Sequence, residues 1–177
     1  MPVKRQKVGK GGKVIYANAL FDFEEVIDAI RYWSQRNGYI NFKLKKFSEE
    51  ILPKGLRFET DISFFKQPDF YTRQEVDINL LVKHANKVEV KSEDGEVKIL
   101  TQGDIIMTQD TAAIPDYDDV FSDKKGHLWK IAHHFFFEFI YKKQFLDYKF
   151  NVGINTGKLH SLVKNKLDYY KKFKPIS

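Results

Sequence analysis

The hydrophobic period of this chain changes twice, and this change constrains the fold more than any other feature. Between Phe21 and Gly38 the apolar residues recur at the spacing of one helix face. From Tyr39 to Thr111 apolar and polar residues alternate with a period of two, which is typical of half-buried strands. Helical spacing returns after Gly126. The order helix, strands, helices predicts an α+β domain.

The start of the first helix has a strong local signal. Asp22 is a favourable N-cap, and Glu25 follows three residues later, as in a capping box. Phe21 and Val26 occupy the two positions of a hydrophobic staple. Asn37-Gly38 supplies a left-handed stop, so the helix is predicted to end there.

The alternating region predicts an antiparallel meander of about six to seven strands. Its connections are short, and short connections favour antiparallel neighbours. A short β-prone run over 14–19 precedes the first helix. The predicted strands of the meander are 39–46, 56–62 after the turn Pro53-Lys54-Gly55, 73–83, two short strands within 87–100 about Glu93-Asp94-Gly95, and 104–111.

Two helices are predicted to follow the meander and to pack on it. In the first, an apolar stripe is expected to lie on the sheet, whereas Phe137 falls on the other side with Tyr141. Asn151-Val152-Gly153 is expected to interrupt the helix, and a second helix is predicted over 157–172. The stripe consists of Leu128, Ile131, Ala132, Phe135, Phe136, Phe139 and Ile140.

Length and composition indicate one soluble domain over 14–177, preceded by a flexible basic arm over 1–13. The chain has 177 residues, of which 42% are hydrophobic and 31% charged, and this suits a single substantial core. The arm has three glycines and almost nothing to bury. Without an apolar segment for secretion or membrane insertion, and without cysteine, the chain is expected to be cytoplasmic and to have no membrane span.

Positive charge is concentrated at the two ends of the sequence. Residues 1–13 carry a net charge of +5 and residues 158–174 another +5, whereas the total is only +6, so the body between them is acidic. Such asymmetry favours a non-catalytic module that contacts nucleic acid or a ribonucleoprotein surface. The candidate cations are Lys4, Arg5, Lys7, Lys10, Lys13, Lys164, Lys171 and Lys172.

No pattern in the sequence identifies a reaction, a cofactor or a metal. The glycine-rich run over 9–13 lacks the Ser or Thr and the strand of a phosphate loop. The acidic segment over 116–123 has Phe121 where a calcium loop requires glycine. His127, His133 and His134 lack the i, i+4 spacing of a ligand pair on a helix, and they have no carboxylate partner. An enzyme is therefore the less favoured class.

Two alternatives to nucleic-acid binding follow from the aromatic residues. Phe137, Tyr141 and Tyr148 could form an exposed contact surface, as in a structural subunit of an oligomer, unless a second layer of the same domain covers them. A carrier would instead hold an apolar ligand between the sheet and the helix. Its expected lining is Phe135, Phe136 and Phe139.

The chain after Val14 resembles a group of small uncharacterised archaeal α+β proteins. The resemblance lies in the order of elements and in aromatic spacing, in FDFEEVIDAIRYWSQRNGY, the meander, PDYDDVFSDKKGHLWKIAHHFFFEFIYKKQFLDYKF and LVKNKLDYYKKF. It implies no activity. The order of elements is also similar to the helix-grip arrangement of START-type carriers, which usually have two short helices after the first strand where this sequence predicts one.

Overall fold

A computed structural model describes residues 6–8, 12–92, 95–116 and 126–176. The first elements are β1 (Gln6–Lys7), β2 (Lys13–Phe21), α1 (Phe23–Arg36), β3 (Ile40–Leu52) and β4 (Gly55–Lys66). They are followed by β5 (Thr72–Lys91), β6 (Val97–Pro115), α2 (His127–Phe135), a π-helical segment (Phe136–Tyr141) and α3 (Lys142–Tyr169). A single 3₁₀ turn (Tyr170–Lys172) and β7 (Lys174–Pro175) end the described chain.

The strands form one antiparallel sheet of seven strands, which confirms the predicted α+β class. Its central order is β6-β5-β4-β3, with β1 and β2 one after the other along the outer side of β6. β7 pairs with β5 beyond the last β4 partner. The four shorter strands predicted over 73–111 are two long strands, because a bulge in β5 bends the pair without ending either strand.

A line of bulges crosses the sheet, and one carboxylate connects two of them. Asn18 in β2 and His84 in β5 have positive φ, and the pairing register shifts at both. Asp104 of the intervening β6 accepts a hydrogen bond from Asn18 N at 2.8 Å and lies 2.9 Å from His84 Nδ1. Gly103 beside it is required, since a Cβ there would lie 2.9 Å from the Lys83 carbonyl oxygen. Both strands therefore bend at the same level.

The main core lies between the sheet and the two helices α1 and α3. Phe21 and Val26, the predicted staple, are both fully buried in it. Asp22 caps α1 as predicted, and its carboxylate accepts from the backbone N–H of Glu24 at 2.9 Å and of Glu25 at 3.2 Å. No helix within the described ranges is long and apolar enough to cross a membrane.

The C-terminal helix differs from its prediction in two ways. α3 runs without a break through Asn151-Val152-Gly153, so one long helix replaces the two that were predicted. The apolar stripe expected on the sheet is exposed, with Leu128 at 82% and Phe139 at 74%, whereas Tyr141 is only 4% exposed. Because α2 and the π segment are apolar on both sides, periodicity alone could not identify the buried one.

The π segment explains how the buried side stays continuous. Tyr141 follows His133 by eight residues, which in a regular α-helix would separate the two by about 80°. A π-helix has i→i+5 hydrogen bonds and turns less per residue. The segment therefore returns Tyr141 to the side of His133, and both face the start of β5.

Part of the predicted flexible arm belongs to the sheet. Gln6 and Lys7 pair with Ala113 and Ala112, and Val8 N donates to the carbonyl oxygen of Thr111 at 2.9 Å. β2 begins at Lys13, one residue before the predicted start of the domain. Backbone pairing with β6 compensates for the lack of apolar side chains. Residues 1–5 and 9–11 lie outside the described residues.

Candidate nucleic-acid interface

The N-terminal edge of the sheet and α3 run side by side, and we call this line of contact the seam. Four contacts follow in the same order along both elements, which span roughly 30 Å by their rise per residue. They join Gln6 with Lys149 at 3.5 Å, Val8 with Gly153, Gly12 with His160, and Tyr16 with Asp168 at 3.2 Å. The seam therefore brings residues of the basic N-terminal segment against the basic C-terminal helix.

Gly12 permits the closest approach in the seam. A Cβ at this position would lie 1.6 Å from Cε1 of His160, so any other residue would displace the histidine ring. The buried Nε2 of His160 has no hydrogen-bond partner among the described residues. Burial lowers the pKa of His160 below its usual value, and the ring is neutral at pH 7.

Several predicted cations belong to the two segments that form the seam, although Lys7 and Lys13 alternate along the strand with the residues that contact α3 and so point away from the helix. The Lys7 side chain is 73% exposed with Nζ 3.0 Å from Asp110 Oδ2, and Lys13 is exposed on β2. On the helix side Lys164 is exposed, one turn after His160. Lys171 Nζ lies 2.6 Å from Asp168 Oδ1 and 5.5 Å from the ring centroid of Tyr16.

The structure places one of the four remaining predicted cations, and this one is not among the seam contacts. Lys172 lies over Tyr169, 4.1 Å from its ring centroid. Lys4, Arg5 and Lys10 fall outside the described residues. Sequence reasoning missed Lys149, because nothing in the sequence indicates that this residue reaches Gln6.

A polar network at the start of β5 was also missed by sequence reasoning. Asp69 Oδ1 accepts from the backbone N–H of Tyr71 at 2.9 Å and of Thr72 at 2.7 Å. Its Oδ2 accepts a hydrogen bond of 2.5 Å from the Tyr141 hydroxyl. This hydroxyl also lies 2.5 Å from Thr72 Oγ1. Tyr71 bonds to Nε2 of His133 through its hydroxyl.

The chemistry of this network is that of an anchor. Burial is the main cause that raises the pKa of Tyr71 and of Tyr141 well above the usual range, so both phenols stay protonated. Protonated phenols bound to Asp69 and His133 hold the π segment against the sheet. The only sequence signal is local, since Asp69 precedes Thr72 by three residues and can form an Asx turn.

The predicted aromatic contact surface packs against its own domain. Tyr141 is buried, and the Phe137 ring is half-buried with its centroid 5.6 Å from that of Phe145. Tyr148 is half-buried as well, and its hydroxyl accepts from Gln144 Nε2 at 2.8 Å. The prediction that this set is exposed is wrong for Tyr141, because the π segment turns it toward the sheet.

The predicted carrier lining is not internal either. Phe135 and Phe139 are exposed and only Phe136 is half-buried, so these rings do not enclose a cavity between sheet and helix. A cleft of about 400 Å³ lies elsewhere, between the start of α1 and the bent strands. Its lining includes Phe23, Phe47, Leu56, Phe58 and Thr101.

The three histidines over 127–134 do not form a cluster. His133 is buried against Tyr71, whereas His127 and His134 are exposed. Within the described part of the chain no three His, Asp or Glu side chains are grouped as metal ligands would be. The acidic segment over 116–123 is described only at Asp116.

No known protein family, no curated protein and no solved structure matches this chain.

Proposed function

We propose that this chain is a non-catalytic binding module that binds nucleic acid along the seam. The observation that carries the proposal is the contact between the edge formed by β1 and β2 and the helix α3. Through this contact, two basic segments that are far apart in the sequence lie side by side at one edge of the sheet. Each segment has a net charge of +5, whereas the rest of the chain is acidic.

The dimensions and chemistry of the seam suit a phosphate backbone. A length of roughly 30 Å corresponds to about nine phosphates of one strand of a duplex, at about 3.4 Å per phosphate, and to fewer phosphates of an extended single strand. The described cations of the two segments are lysines, which bind phosphate as point charges, and phosphate contacts carry no sequence information. The binding we propose is therefore independent of base sequence and sensitive to salt.

Asp110 and Asp168 moderate the charge of the seam. Each lies within 3.0 Å of a lysine, Asp110 beside Lys7 and Asp168 beside Lys171. Hydrogen bonding to Lys171 is the main cause that lowers the pKa of Asp168, which keeps this carboxylate charged. A phosphate would have to compete with these pairs, but both lysines are mostly exposed and can rotate.

The test is a salt titration of binding to single-stranded RNA. The triple variant Lys13→Gln, Lys164→Gln, Lys171→Gln should make the slope of log affinity against log salt shallower by about 2, at roughly 0.7 per lost phosphate contact. The matched control is Lys43→Gln, Lys54→Gln, Lys87→Gln, which removes the same charge from exposed positions away from the seam. Equal losses in both variants, or no binding by the intact chain at low salt, would contradict the proposal.

The alternative function of a carrier has less support. Its expected aromatic lining is largely exposed, and the cleft of about 400 Å³ is bordered by charged side chains of Glu24, Glu49 and Lys87 beside its apolar residues. The seam does not include this cleft, so loss of RNA binding in the triple variant would say nothing about the carrier function.

A further inference from the structure

The outer face of the C-terminal helix exposes an unusual amount of apolar surface. From α2 through α3 it presents large hydrophobic side chains that are each at least 44% exposed. At 1.5 Å per residue they extend over about 40 Å. We call this set the outer stripe, and it consists of Leu128, Ile131, Phe135, Phe139, Ile140, Leu146, Phe150 and Ile154.

The opposite face of the same helix is buried in the fold. Tyr141, Phe145 and Val152 are buried against the sheet side, so the outer stripe cannot turn inward without breaking these contacts. Within the stripe the rings of Phe135 and Phe139 stack on each other with centroids 4.6 Å apart. These two rings therefore form a packed part of the surface.

The area of the outer stripe is that of a stable protein interface. Side chains of this size have about 150–250 Å² each, and at their observed exposure the eight together present roughly 800–900 Å². A standard interface buries about 800 Å² on each partner. Monomeric proteins rarely expose one contiguous apolar patch this large.

We propose that the outer stripe binds the outer stripe of a second copy of this chain, with the two helices antiparallel. A two-fold axis near Tyr141 places residue i of one copy opposite residue 281 − i of the other. The match is accurate to one position along the helix. Six of the eight residues of the outer stripe then meet an apolar partner across the isologous interface, whereas Phe139 lies opposite Lys142. The pairs are Ile131 with Phe150, Phe135 with Leu146, and Leu128 with Ile154.

Charges beside the stripe agree with this register. It brings Glu138 of one copy opposite Lys143 of the other, next to the pair that Glu138 already forms with Lys142 at 2.7 Å. His134 falls opposite Asp147 in the same way. A shift of one helical turn would instead place Glu138 opposite Asp147 and disfavour association. The charges therefore favour the register in which residue i lies opposite residue 281 − i over the register shifted by one helical turn.

The position of the lysines also suits an antiparallel pair. Lys142 and Lys143 interrupt the stripe near its centre, and the proposed axis places them opposite Phe139 of the other copy. A lysine can cover an aromatic ring with its apolar stem while its ammonium group stays in water.

The first test is the mass of the chain in solution by sedimentation velocity. The intact chain should be a dimer, and Phe135→Asp should raise its dissociation constant by at least roughly 100-fold, because it places a carboxylate opposite Leu146 and the change enters the interface twice. Phe47→Asp is the matched control, since this phenylalanine is 63% exposed on β3, away from the helix, and should leave the dimer intact. Circular dichroism would show that both variants remain folded.

The second test determines the orientation and uses the absence of cysteine from the chain. A mixture of Ile131→Cys and Phe150→Cys chains should form a mixed disulfide on mild oxidation, because the antiparallel register brings these positions together. Ile131→Cys alone should cross-link poorly.

Three results would overturn the proposal. They are an intact chain that is monomeric, a cross-link of Ile131→Cys with itself as efficient as the mixed one, and loss of the dimer in the Phe47→Asp control. If the monomer bound vesicles containing phosphatidylserine and Phe135→Asp abolished this binding, the stripe would be a membrane-contact surface. RNA binding by the seam is a separate measurement, and Phe135→Asp should leave its salt slope unchanged.

Discussion

Glu25 shows how one side chain can serve two distant parts of the chain. Its backbone N–H donates to the Asp22 carboxylate, whereas its own carboxylate accepts a hydrogen bond from the Tyr170 hydroxyl and pairs with Lys166. Hydrogen bonding to Lys166, then to Tyr170, lowers the pKa of Glu25. The capping box is therefore only half formed, and Glu25 instead connects the start of α1 with the end of α3.

His160 permits a prediction about pH at the scale of one residue. Its folded-state pKa is lowered by burial, so the unfolded chain binds the proton more readily. Stability from this group is complete above pH 6.5 and is lost as the pH falls below it. We expect the thermal midpoint of His160→Gln to fall less between pH 7 and pH 5 than that of the intact chain.

The control for this measurement is His127→Gln, since His127 is exposed. It should keep the pH dependence of the intact chain. The carboxylates with lowered pKa, such as Glu25 and Asp104, lose their contribution only at more acidic pH, below the window of the histidine. Identical pH profiles for both variants would show that burial of His160 does not matter to stability.

At the scale of elements, the helix that follows the sheet is built from two halves with different support. The second half packs in the main core through Leu159, Val163 and Leu167. The first half has a small cluster of its own and the network around Asp69. Its attachment therefore depends more on hydrogen bonds than on buried apolar area.

This difference leads to a prediction for Asp69→Ala. The variant removes the acceptor of the Tyr141 hydroxyl and of two backbone N–H groups, and we expect a loss of about 2 kcal/mol in the free energy of unfolding. Hydrogen exchange should accelerate in α2 and the π segment more than in the second half of α3. The control Asp147→Ala changes an exposed carboxylate on the same helix. Uniform acceleration along the whole helix would contradict this account.

At the scale of the whole molecule, the N-terminal segment joins elements that the sequence keeps apart. β1 and β2 complete the sheet beside β6 and contact α3 along the seam. The seam and the outer stripe both use α3, but they involve different residues of it. Nucleic-acid binding and association of two copies can therefore be tested by separate substitutions.

A truncation tests whether β1 stabilises the fold. A chain that begins at Gly12 lacks β1 and the bonds between Val8 and Thr111, of which the backbone bond is 2.9 Å and the side-chain bond 3.0 Å. We expect it to lose at least about 2 kcal/mol of stability, at roughly 1 kcal/mol for each net hydrogen bond. Chemical denaturation measures this loss. An unchanged midpoint would mean that β1 contributes nothing to the fold.

The sequence by itself determined the features that depend on neighbouring residues. The period of two identified the sheet, Asp22 identified the start of α1, and Pro53-Lys54-Gly55 identified the turn between β3 and β4. Each of these signals acts over a few residues, through side-chain alternation, a cap or a required backbone angle. The charge of the two ends was also readable, because it needs only counting.

Only the tertiary structure decided which side of the C-terminal helix is buried and which ends of the chain meet. Phe139 and Tyr141 are both compatible with a core position, and the π segment together with Asp69 selects Tyr141. The contact between Gly12 and His160 requires close packing across about 150 residues of chain, and no local pattern carries that information. The seam and the outer stripe follow from these two choices, since both are surfaces that arise when distant segments pack.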